Sequence, residues 1–348
     1  MTHNFMYGLE SRYFGFKADG ERYKRVKVAI LDNGIAYRKR EHRNAMRKYW
    51  DCVVGYESFI DHENAMDVLN DDSGHGTAVT FQVMKTCPTA EVYICRVVQK
   101  IGDKWIVDQD AVARAIYQAA DGKNWGVDII NMSFGWDYNH RVVGKAISFA
   151  KDQGVLLFAS TSNYGLTTPA DILYPASADE VISVDAADGL GNPAGFNPSS
   201  VAELGKDRFT APGIGLCSPI SDETFDGTSF ASPIAAGVAA LVLEFARQSP
   251  LENCQSVAEC LRDRLGMVLV LRAMSKRKGE EKFKFLCPEM LLGDAWGTYG
   301  GDGRPGTRRY FVAYELVQIL RKSYGKEVGQ EVFPTVEERK DVAESGVA

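Results

Sequence analysis

The 348-residue sequence lacks an excess of basic residues and a long apolar segment. Lysine and arginine total 40 and aspartate and glutamate total 46, giving a formal net charge of -6. This balance gives no sign of the basic surface that attracts nucleic acid or an anionic membrane. No run approaches the roughly 18 apolar residues that a membrane span requires. We therefore expect neither nucleic acid nor a membrane as a partner.

Paired cysteines and a secretory signal are also missing. The seven cysteines are scattered, without the C-x-x-C spacing of zinc or redox motifs. An odd number of isolated cysteines favours free thiols in a reducing compartment. The first residues show no basic start followed by an apolar run. These absences predict an intracellular, cytoplasmic protein, and we expect neither a metal nor a cofactor.

Short apolar segments rich in β-branched residues alternate with helical patterns. The strands are predicted at 26–31, 91–98, 127–132, 155–159 and 181–184, and the helices at 110–120, 141–153, 229–247 and 253–265. Uniformly apolar strands that alternate with helices are typical of a parallel sheet covered on both faces. The sequence therefore predicts an α/β three-layer sandwich with a mostly parallel central sheet flanked by helices.

Three short motifs place reactive side chains at strand ends or helix starts. Asp32-Asn33-Gly34 ends the first strand, and alone it is typical of an ordinary turn. In Gly74-His75-Gly76, the two glycines leave the imidazole accessible, although a single histidine is more often structural. Ser229 opens a long helix, where the free N–H groups and the helix dipole favour negative charge. An ordinary helix cap is the alternative there, and we expect Pro233 to lie in the first turn.

The order Asp, His, Ser supplies the parts of a nucleophilic mechanism. A serine hydroxyl needs a base to remove its proton, and a carboxylate must hold that base in one tautomer. We therefore predict that Ser229 is the nucleophile, His75 the general base and Asp32 the orienting group. One of the unrelated folds that carry this triad has the same chain order.

The three motifs resemble the signature blocks of the subtilisin-like serine proteases, or subtilases. His75 follows Asp32 by 43 residues and Ser229 follows His75 by 154, within a resemblance that spans about residues 26–247. The resemblance implies a serine endopeptidase that hydrolyses an extended polypeptide through an acyl-enzyme. It also implies that Asn163 donates its side-chain amide to the oxyanion, and it assigns substrate binding to a further set of residues, namely Ser133, Phe134, Gly135, Ser160 and Leu173.

Several positions depart from the family pattern. Ser162 stands where the family usually has glycine, so a positive φ there would strain the loop and misplace Asn163. Residues 85–90 are too few for the calcium loop that many subtilases carry. Leu173 replaces a small residue and predicts a shallow pocket for small or medium side chains. No inhibitory propeptide is visible ahead of residue 26.

The chain is expected to divide into four regions. These are a leader at 1–25, a subtilase catalytic domain at 26–265, an extension at 266–325 that packs on that domain, and a disordered tail at 326–348. Within the extension, residues 275–284 have a hairpin-like pattern and residues 309–324 that of an amphipathic helix. A catalytically silent peptide-binding or regulatory module remains an alternative function, as does an esterase or peptide ligase. The oligomeric state stays open.

Overall fold

A nine-stranded sheet forms the centre of the structure. The computed structural model describes residues 24–165, 172–199, 207–278, 283–293 and 305–334. In chain order, the strands of the described residues are β1 (Lys27–Asp32), β2 (Val53–Ser58), β3 (Glu91–Arg96), β4 (Val98–Ile101), β5 (Lys104–Val107), β6 (Ile129–Met132), β7 (Leu156–Ser160), β8 (Val181–Ala187), β9 (Arg208–Pro212), β10 (Leu216–Ser218), β11 (Ser221–Phe225), β12 (Ser275–Lys278) and β13 (Phe283–Leu286). Strands β4 and β5 form one separate two-stranded sheet, and β10 and β11 form another.

The strand order of the central sheet is β12-β13-β9-β8-β7-β6-β1-β3-β2. Neighbouring strands run parallel, except that β12 at one edge is antiparallel to β13. Strand β1 pairs with β3 on one side and with β6 on the other. The chain thus fills the sheet in two directions from β1. In open parallel sheets, ligands bind at the carboxyl ends of the strands beside such a switch point.

Helices cover both faces of this sheet. They are α1 (Arg40–Met46), α2 (His75–Thr86), α3 (Gln109–Ala120), α4 (Arg141–Asp152), α5 (Thr228–Ala246), α6 (Gln255–Arg262), α7 (Arg264–Ala273), α8 (Glu289–Leu292) and α9 (Pro305–Tyr324). One apolar core contains α2 and α5 with the later helices, and a second, across the sheet, contains α3 and α4. The predicted three-layer α/β architecture is therefore confirmed.

Helix α5 crosses the core beneath four strands, β6 to β9, and packs on α2. It is long and apolar enough to span a membrane by length and composition, contrary to the sequence reading, but 89% of the apolar window is buried inside the fold. Small residues allow a close approach between the two helices. A Cβ at Gly237 would lie 2.6 Å from the Cβ of Thr86. The apolarity of α5 thus has an explanation within the core.

The later part of the chain continues the same sheet. The hairpin-like pattern forms β12 and β13, and Phe285 of β13 pairs with Thr210 of β9. Asp207, just before β9, receives hydrogen bonds from Arg272 on α7 at 2.8 Å and from Lys284 on β13 at 2.9 Å. The extension is thus joined to the sheet by backbone pairing and by ion pairs. The domain boundary at residue 265 itself stays a prediction.

Two sequence predictions need correction. The helix expected at 253–265 is two helices, because Asp263 adopts an extended conformation between α6 and α7. The tail expected to be disordered from residue 326 is folded as far as residue 334. Val328 and Phe333 are buried there, and their carbonyls accept hydrogen bonds from Arg321. Residues 335–348, most of the 1–25 leader and most of the glycine-rich stretch at 297–306 lie outside the described residues.

Candidate functional site

Asp32 and His75 form a hydrogen-bonded pair at the carboxyl end of β1. Asp32 is the last residue of the strand and is 2% exposed, whereas His75 is the first residue of α2. The Nδ1 atom of His75 lies 2.8 Å from Oδ1 of Asp32, which also accepts from the backbone N–H of Asn33 at 2.8 Å. A carboxylate on Nδ1 fixes the tautomer in which Nε2 accepts a proton.

The surroundings of His75 shift its pKa in opposite directions. Burial lowers the pKa, while the charge of Asp32, its hydrogen bond and the charge of Asp71 raise it. The pKa of His75 is on balance raised above its ordinary value. The imidazolium form is therefore stabilised by two carboxylates, which is what a group that accepts a proton during a reaction requires.

Interlocking glycines fix the relative position of the Asp32 turn and the His75 helix. Gly34 has a φ of +105°, and a Cβ there would lie 2.3 Å from the carbonyl oxygen of Val68. A Cβ at Gly76 would lie 2.4 Å from the carbonyl oxygen of Gly34. Gly76 therefore does more than expose the imidazole, because its missing side chain lets α2 pack directly on the Asp32 turn.

Asp71 holds the loop that leads into α2. Its Oδ1 accepts from Ser73 Oγ and the Gly74 N–H, and its Oδ2 accepts from the N–H and Oγ1 of Thr77. The Thr77 hydroxyl in turn accepts from the N–H of Ala36, at 2.8 Å. The carboxylate thus ties the start of α2 to the turn that follows Asp32. The sequence interpretation missed Asp71, because the N-cap of α2 is Gly74 and Asp71 lies outside the position that a capping pattern identifies.

Ser229 lies in the first turn of α5, the helix that contacts His75. The ring of Phe230, the next residue, is 5.1 Å from the His75 ring. The Ser229 hydroxyl donates to the carbonyl oxygen of Ser133 at 3.1 Å. Within the described part of the chain, no hydrogen bond joins this hydroxyl to His75.

A reciprocal contact anchors the Ser229 backbone. Pro233 is the sixth residue of α5 rather than a first-turn residue, so it removes the N–H that would bond the carbonyl of Ser229 four residues earlier. The Ser133 hydroxyl donates to that carbonyl instead, at 2.7 Å. Asn131 donates to the same hydroxyl, and Ser232 donates to Asn131. A chain of side chains thus connects the end of β6 with the start of α5.

Asn163 is exposed and is oriented by Thr228. Its Oδ1 accepts from the backbone N–H of Thr228 at 2.9 Å and from the Thr228 hydroxyl at 3.0 Å. The carboxamide nitrogen lies 3.1 Å from where a Cβ of Gly227 would be, and Gly227 has a φ of +154°. The oxygen end of the carboxamide is thus fixed, and its N–H groups remain available for another acceptor.

The strain anticipated at Ser162 does not occur. Among the residues that the structure describes, the non-glycine residue with a positive φ is His62. Ser162 is buried, and its hydroxyl accepts from the backbone N–H of Tyr164 at 3.2 Å. Ser162 therefore replaces the glycine without a disfavoured backbone conformation.

Of the remaining predicted residues, Gly135 and Leu173 lie against each other. A Cβ at Gly135 would lie 2.7 Å from the Cβ of Leu173, so the segment after β6 packs against the segment at Leu173. Trp136 and Tyr174 exchange backbone hydrogen bonds directly beside this contact. Ser160, by contrast, is buried within β7 and pairs with Val184 of the sheet. Phe134 is partly buried and contacts Trp136.

No group of three or more histidine, cysteine, aspartate or glutamate side chains that could hold a metal ion occurs among the described residues. The site is thus built from a buried aspartate bound to a partly exposed histidine, a serine at a helix start and an exposed carboxamide. These groups can move a proton, form a bond through a hydroxyl oxygen and donate hydrogen bonds to a developing anion.

Comparisons with known proteins identify the family of the chain. The model of the subtilase family matches residues 23–279. Subtilisin DY from Bacillus licheniformis is 32% identical over 65% of this chain and 80% of its own length. Subtilisin-like protease het-Q2 from Podospora anserina is 31% identical over 67% of this chain and 66% of its own length. Other relatives are longer, and the match spans 35% of the minor extracellular protease Epr from Bacillus subtilis.

A solved structure shares the fold. The prenylagaramide maturation protease PagA is similar with a TM-score of 0.55 and 24% identity, over 79% of this chain and 90% of that one. Because the family model matches well over half of its residues, the chain belongs to the subtilase family of serine endopeptidases.

Proposed function

We propose that the chain hydrolyses peptide bonds of extended polypeptides through an acyl-enzyme on Ser229, with His75 as general base and Asp32 orienting that base. The observation that carries this proposal is the 2.8 Å contact between His75 and the buried Asp32, with Ser229 at the start of the helix whose next residue, Phe230, packs against the same imidazole. Family membership supports the reaction class.

The reaction begins with a rotation of the Ser229 side chain. In the resting arrangement its hydroxyl donates to the Ser133 carbonyl. Rotation about the Cα–Cβ bond turns the hydroxyl toward Nε2 of His75, which accepts the proton as Oγ attacks the scissile carbonyl carbon. The imidazolium that forms is stabilised by Asp32 and by the charge of Asp71. The same proton then passes to the leaving amine.

Two donors receive the oxyanion of the tetrahedral intermediate. We assign them as the backbone N–H of Ser229, at the start of α5, and the carboxamide of Asn163. Thr228 holds the oxygen end of that carboxamide through two hydrogen bonds, so the N–H end is oriented before substrate arrives. Donors that are fixed in advance need little reorganisation during the reaction. Water then attacks the acyl-enzyme by the same route, with His75 again as base.

The substrate is proposed to bind as an added strand along Ser133, Phe134 and Gly135. The side chain before the cut then enters the space bordered by Ser160 and Leu173. Leu173 lies against Gly135, so this space is shallow. Small and medium side chains are therefore proposed to precede the cleaved bond.

A fluorophosphonate probe tests the proposed nucleophile, because it reacts with activated serines. We expect one label per wild-type chain and none on Ser229→Ala. Ser148→Ala, at an exposed serine on α4, is the matched control and should label normally. His75→Ala should abolish both labelling and peptide hydrolysis. Full activity of the His75 variant would exclude the assigned base.

One observation favours the alternative of a catalytically silent peptide-binding module. The hydroxyl of Ser229 donates to a backbone carbonyl and not to His75. In a silent module this arrangement would persist, and wild type would bind an extended peptide without taking up the probe. Absence of labelling in folded wild type would establish that reading.

We also propose an intracellular location. All seven cysteines are free, and Cys217 is exposed. An exposed free thiol is more readily retained in a reducing compartment. Cell fractionation that recovers the native protein outside the cell would refute this.

A further inference from the structure

The loop that carries Asn163 is attached to a buried ion pair. The hydroxyl of Thr161, which follows the end of β7, donates to Oδ1 of Asp185 at 2.6 Å. Both residues are completely buried, and Asp185 lies on the neighbouring strand β8. The backbone N–H of Thr161 also donates to the Val184 carbonyl. Thr161 is therefore fixed to β8 through its backbone and through its side chain.

Arg208 completes this buried network. Its guanidinium forms a two-pronged contact with Asp185, with Nε at 3.0 Å from Oδ2 and the second nitrogen at 2.9 Å from Oδ1. Its other N–H groups donate to the carbonyls of Pro198 and Ser199. A planar guanidinium in this bidentate geometry fixes the orientation of the carboxylate. Asp185 is thus held by Arg208 as well as by Thr161.

The far end of the same loop is held by the segment that Arg208 binds. The N–H of Gly165 donates to the Phe196 carbonyl at 3.0 Å, and a Cβ at Gly165 would lie 1.8 Å from the carbonyl oxygen of Asn197. The ion pair therefore contacts one end of the loop directly, through Thr161, and binds the segment that holds the other end at Gly165. Asn163 lies midway, two residues from each of the anchored positions.

We propose that Thr161, Asp185 and Arg208 are positioning residues for the Asn163 carboxamide. The inference rests on the proposed role of Asn163 as an oxyanion donor. In this chain Ser162 occupies the position before Asn163, and it contacts the loop itself through Tyr164. The hydrogen bond from Thr161 to a fixed carboxylate is the contact that ties this loop to the sheet by a charged group.

The Asn163 carboxamide must be positioned precisely to act as an oxyanion donor, and the buried Asp185–Arg208 pair can provide that precision. An oxyanion donor acts only when it is held within about 0.5 Å of the productive geometry. A neutral contact at the end of a loop allows more movement than a short bond to an ionised carboxylate. The contact at 2.6 Å lies within the range of about 2.5–2.7 Å for a hydroxyl that donates to a carboxylate.

Thr161→Val tests the inference, because valine keeps the shape of threonine and removes the hydroxyl. Asp185 and Arg208 remain paired in this variant. We expect kcat to fall about 10-fold with little change in KM, since loss of the whole oxyanion donor costs about 10²- to 10³-fold, a magnitude known from a subtilisin. Thr161→Ser should restore most of kcat.

A double-mutant cycle separates positioning from a general structural effect. If Thr161 acts through Asn163, then Thr161→Val in an Asn163→Ala background should cost less than 2-fold. Ser183→Ala is the control, because Ser183 is also completely buried on β8 but donates to the Ala176 carbonyl. It should lower the melting temperature without the fall in kcat. All activities are compared well below the melting temperature of each variant.

The outcomes separate this inference from the proposed function. Equal losses from Thr161→Val with and without Asn163 would overturn the positioning role, even when Asn163→Ala alone is impaired as expected. An Asn163→Ala variant with normal kcat would overturn the oxyanion assignment and the inference with it. Loss of kcat in Thr161→Ser as large as in Thr161→Val would also contradict the role of the hydroxyl.

Discussion

Replacing Asp71 by asparagine removes the charge that holds the loop leading into His75. The carboxylate accepts four hydrogen bonds, at 2.7 and 3.0 Å on Oδ1 and at 2.8 and 2.7 Å on Oδ2. Asparagine has one acceptor oxygen, and its NH₂ group takes the place of the other. That NH₂ group then faces two donors that the carboxylate oxygen had accepted from. The hydroxyls of Ser73 and Thr77 can rotate and accept from this NH₂ group. One backbone N–H, of Gly74 or of Thr77, cannot.

The stability cost follows from that remaining donor. A buried backbone N–H left without a partner costs about 1–3 kcal/mol, and charge-assisted bonds are worth more than the neutral ones that replace them. We therefore expect the free energy of unfolding to fall by about 2–3 kcal/mol in Asp71→Asn, measured by urea denaturation. Asp72→Asn is the matched control, because Asp72 is adjacent and exposed, and surface changes of this kind cost about 0.5 kcal/mol or less.

The same variant changes the pH dependence of activity. The Asp71 charge raises the pKa of His75, so its removal lowers that pKa. His75 must be neutral to accept a proton, and activity therefore rises as the pH passes its pKa. The acid limb of kcat/KM should shift to lower pH in Asp71→Asn and stay in place in Asp72→Asn. A shift to higher pH, or equal stabilities of the two variants, would refute the assigned role of Asp71.

Four further predictions concern space and charge. Gly227→Ala should lower kcat at least about 100-fold in peptide hydrolysis, because a Cβ is strained at its φ of +154° and would press on the Asn163 carboxamide at 3.1 Å. Gly237→Ala should lower the free energy of unfolding by about 1 kcal/mol despite better helix propensity, since the new Cβ would overlap Thr86. Leu173→Ala should raise kcat/KM for peptides with phenylalanine before the cut about 10-fold. Burial raises the pKa of Asp207, but its cationic partners hold it below the usual value, so stability should fall as the pH drops through that lowered pKa, and less steeply in Asp207→Asn.

Normal kcat in Gly227→Ala would show that the Asn163 carboxamide moves aside for the new Cβ. Gly122→Ala is the control for the glycine changes, because a Cβ there would meet no atom within 4 Å. Equal stabilities of Gly122→Ala and Gly237→Ala would show that the two helices separate without cost. Unchanged preference in Leu173→Ala would place the specificity pocket elsewhere. If the stability of wild type and of Asp207→Asn fell identically with pH, the ion pairs of Asp207 would not contribute to the stability of the protein.

The parallel sheet could be predicted because its central strands are apolar on both faces. Strand β7, for example, is buried at all five positions and begins with the apolar run Leu-Leu-Phe-Ala. Strand β2 was missed because it lies at the sheet edge and has mostly half-buried side chains. The two helices at 255–273 were not separated, since the break depends on one extended residue, Asp263, that no glycine or proline announces.

The site residues could be predicted only where a short motif accompanies them. Asp32, His75 and Ser229 each lie in such a motif at a strand end or helix start. Asp185 and Arg208 are 23 residues apart and meet only because β8 and β9 are neighbours in the sheet. Their contact with Thr161 depends on a third strand, so no local pattern reveals it. Tertiary pairing across strands is the information that the linear pattern lacks.

The fold holds two pairs of site residues rigidly, Asp32 with His75 and Ser133 with Ser229, and leaves the Ser229 side chain free to rotate. On one side, the packing of Gly76 on the Asp32 turn fixes the carboxylate and the imidazole relative to each other. On the other side, the reciprocal contacts of Ser133 with Ser229 fix the start of α5.

Adjacent strands connect these two pairs, since Leu31 at the end of β1 pairs with Met132 at the end of β6. The backbone that carries both pairs is therefore continuous with the sheet and has little freedom to move. The Ser229 side chain is the one group of the proposed triad that must change partner, from a carbonyl to the imidazole. That change needs a single bond rotation on the picosecond to nanosecond scale, so a fold this rigid is compatible with rapid activation of the nucleophile once a substrate displaces the resting hydrogen bond.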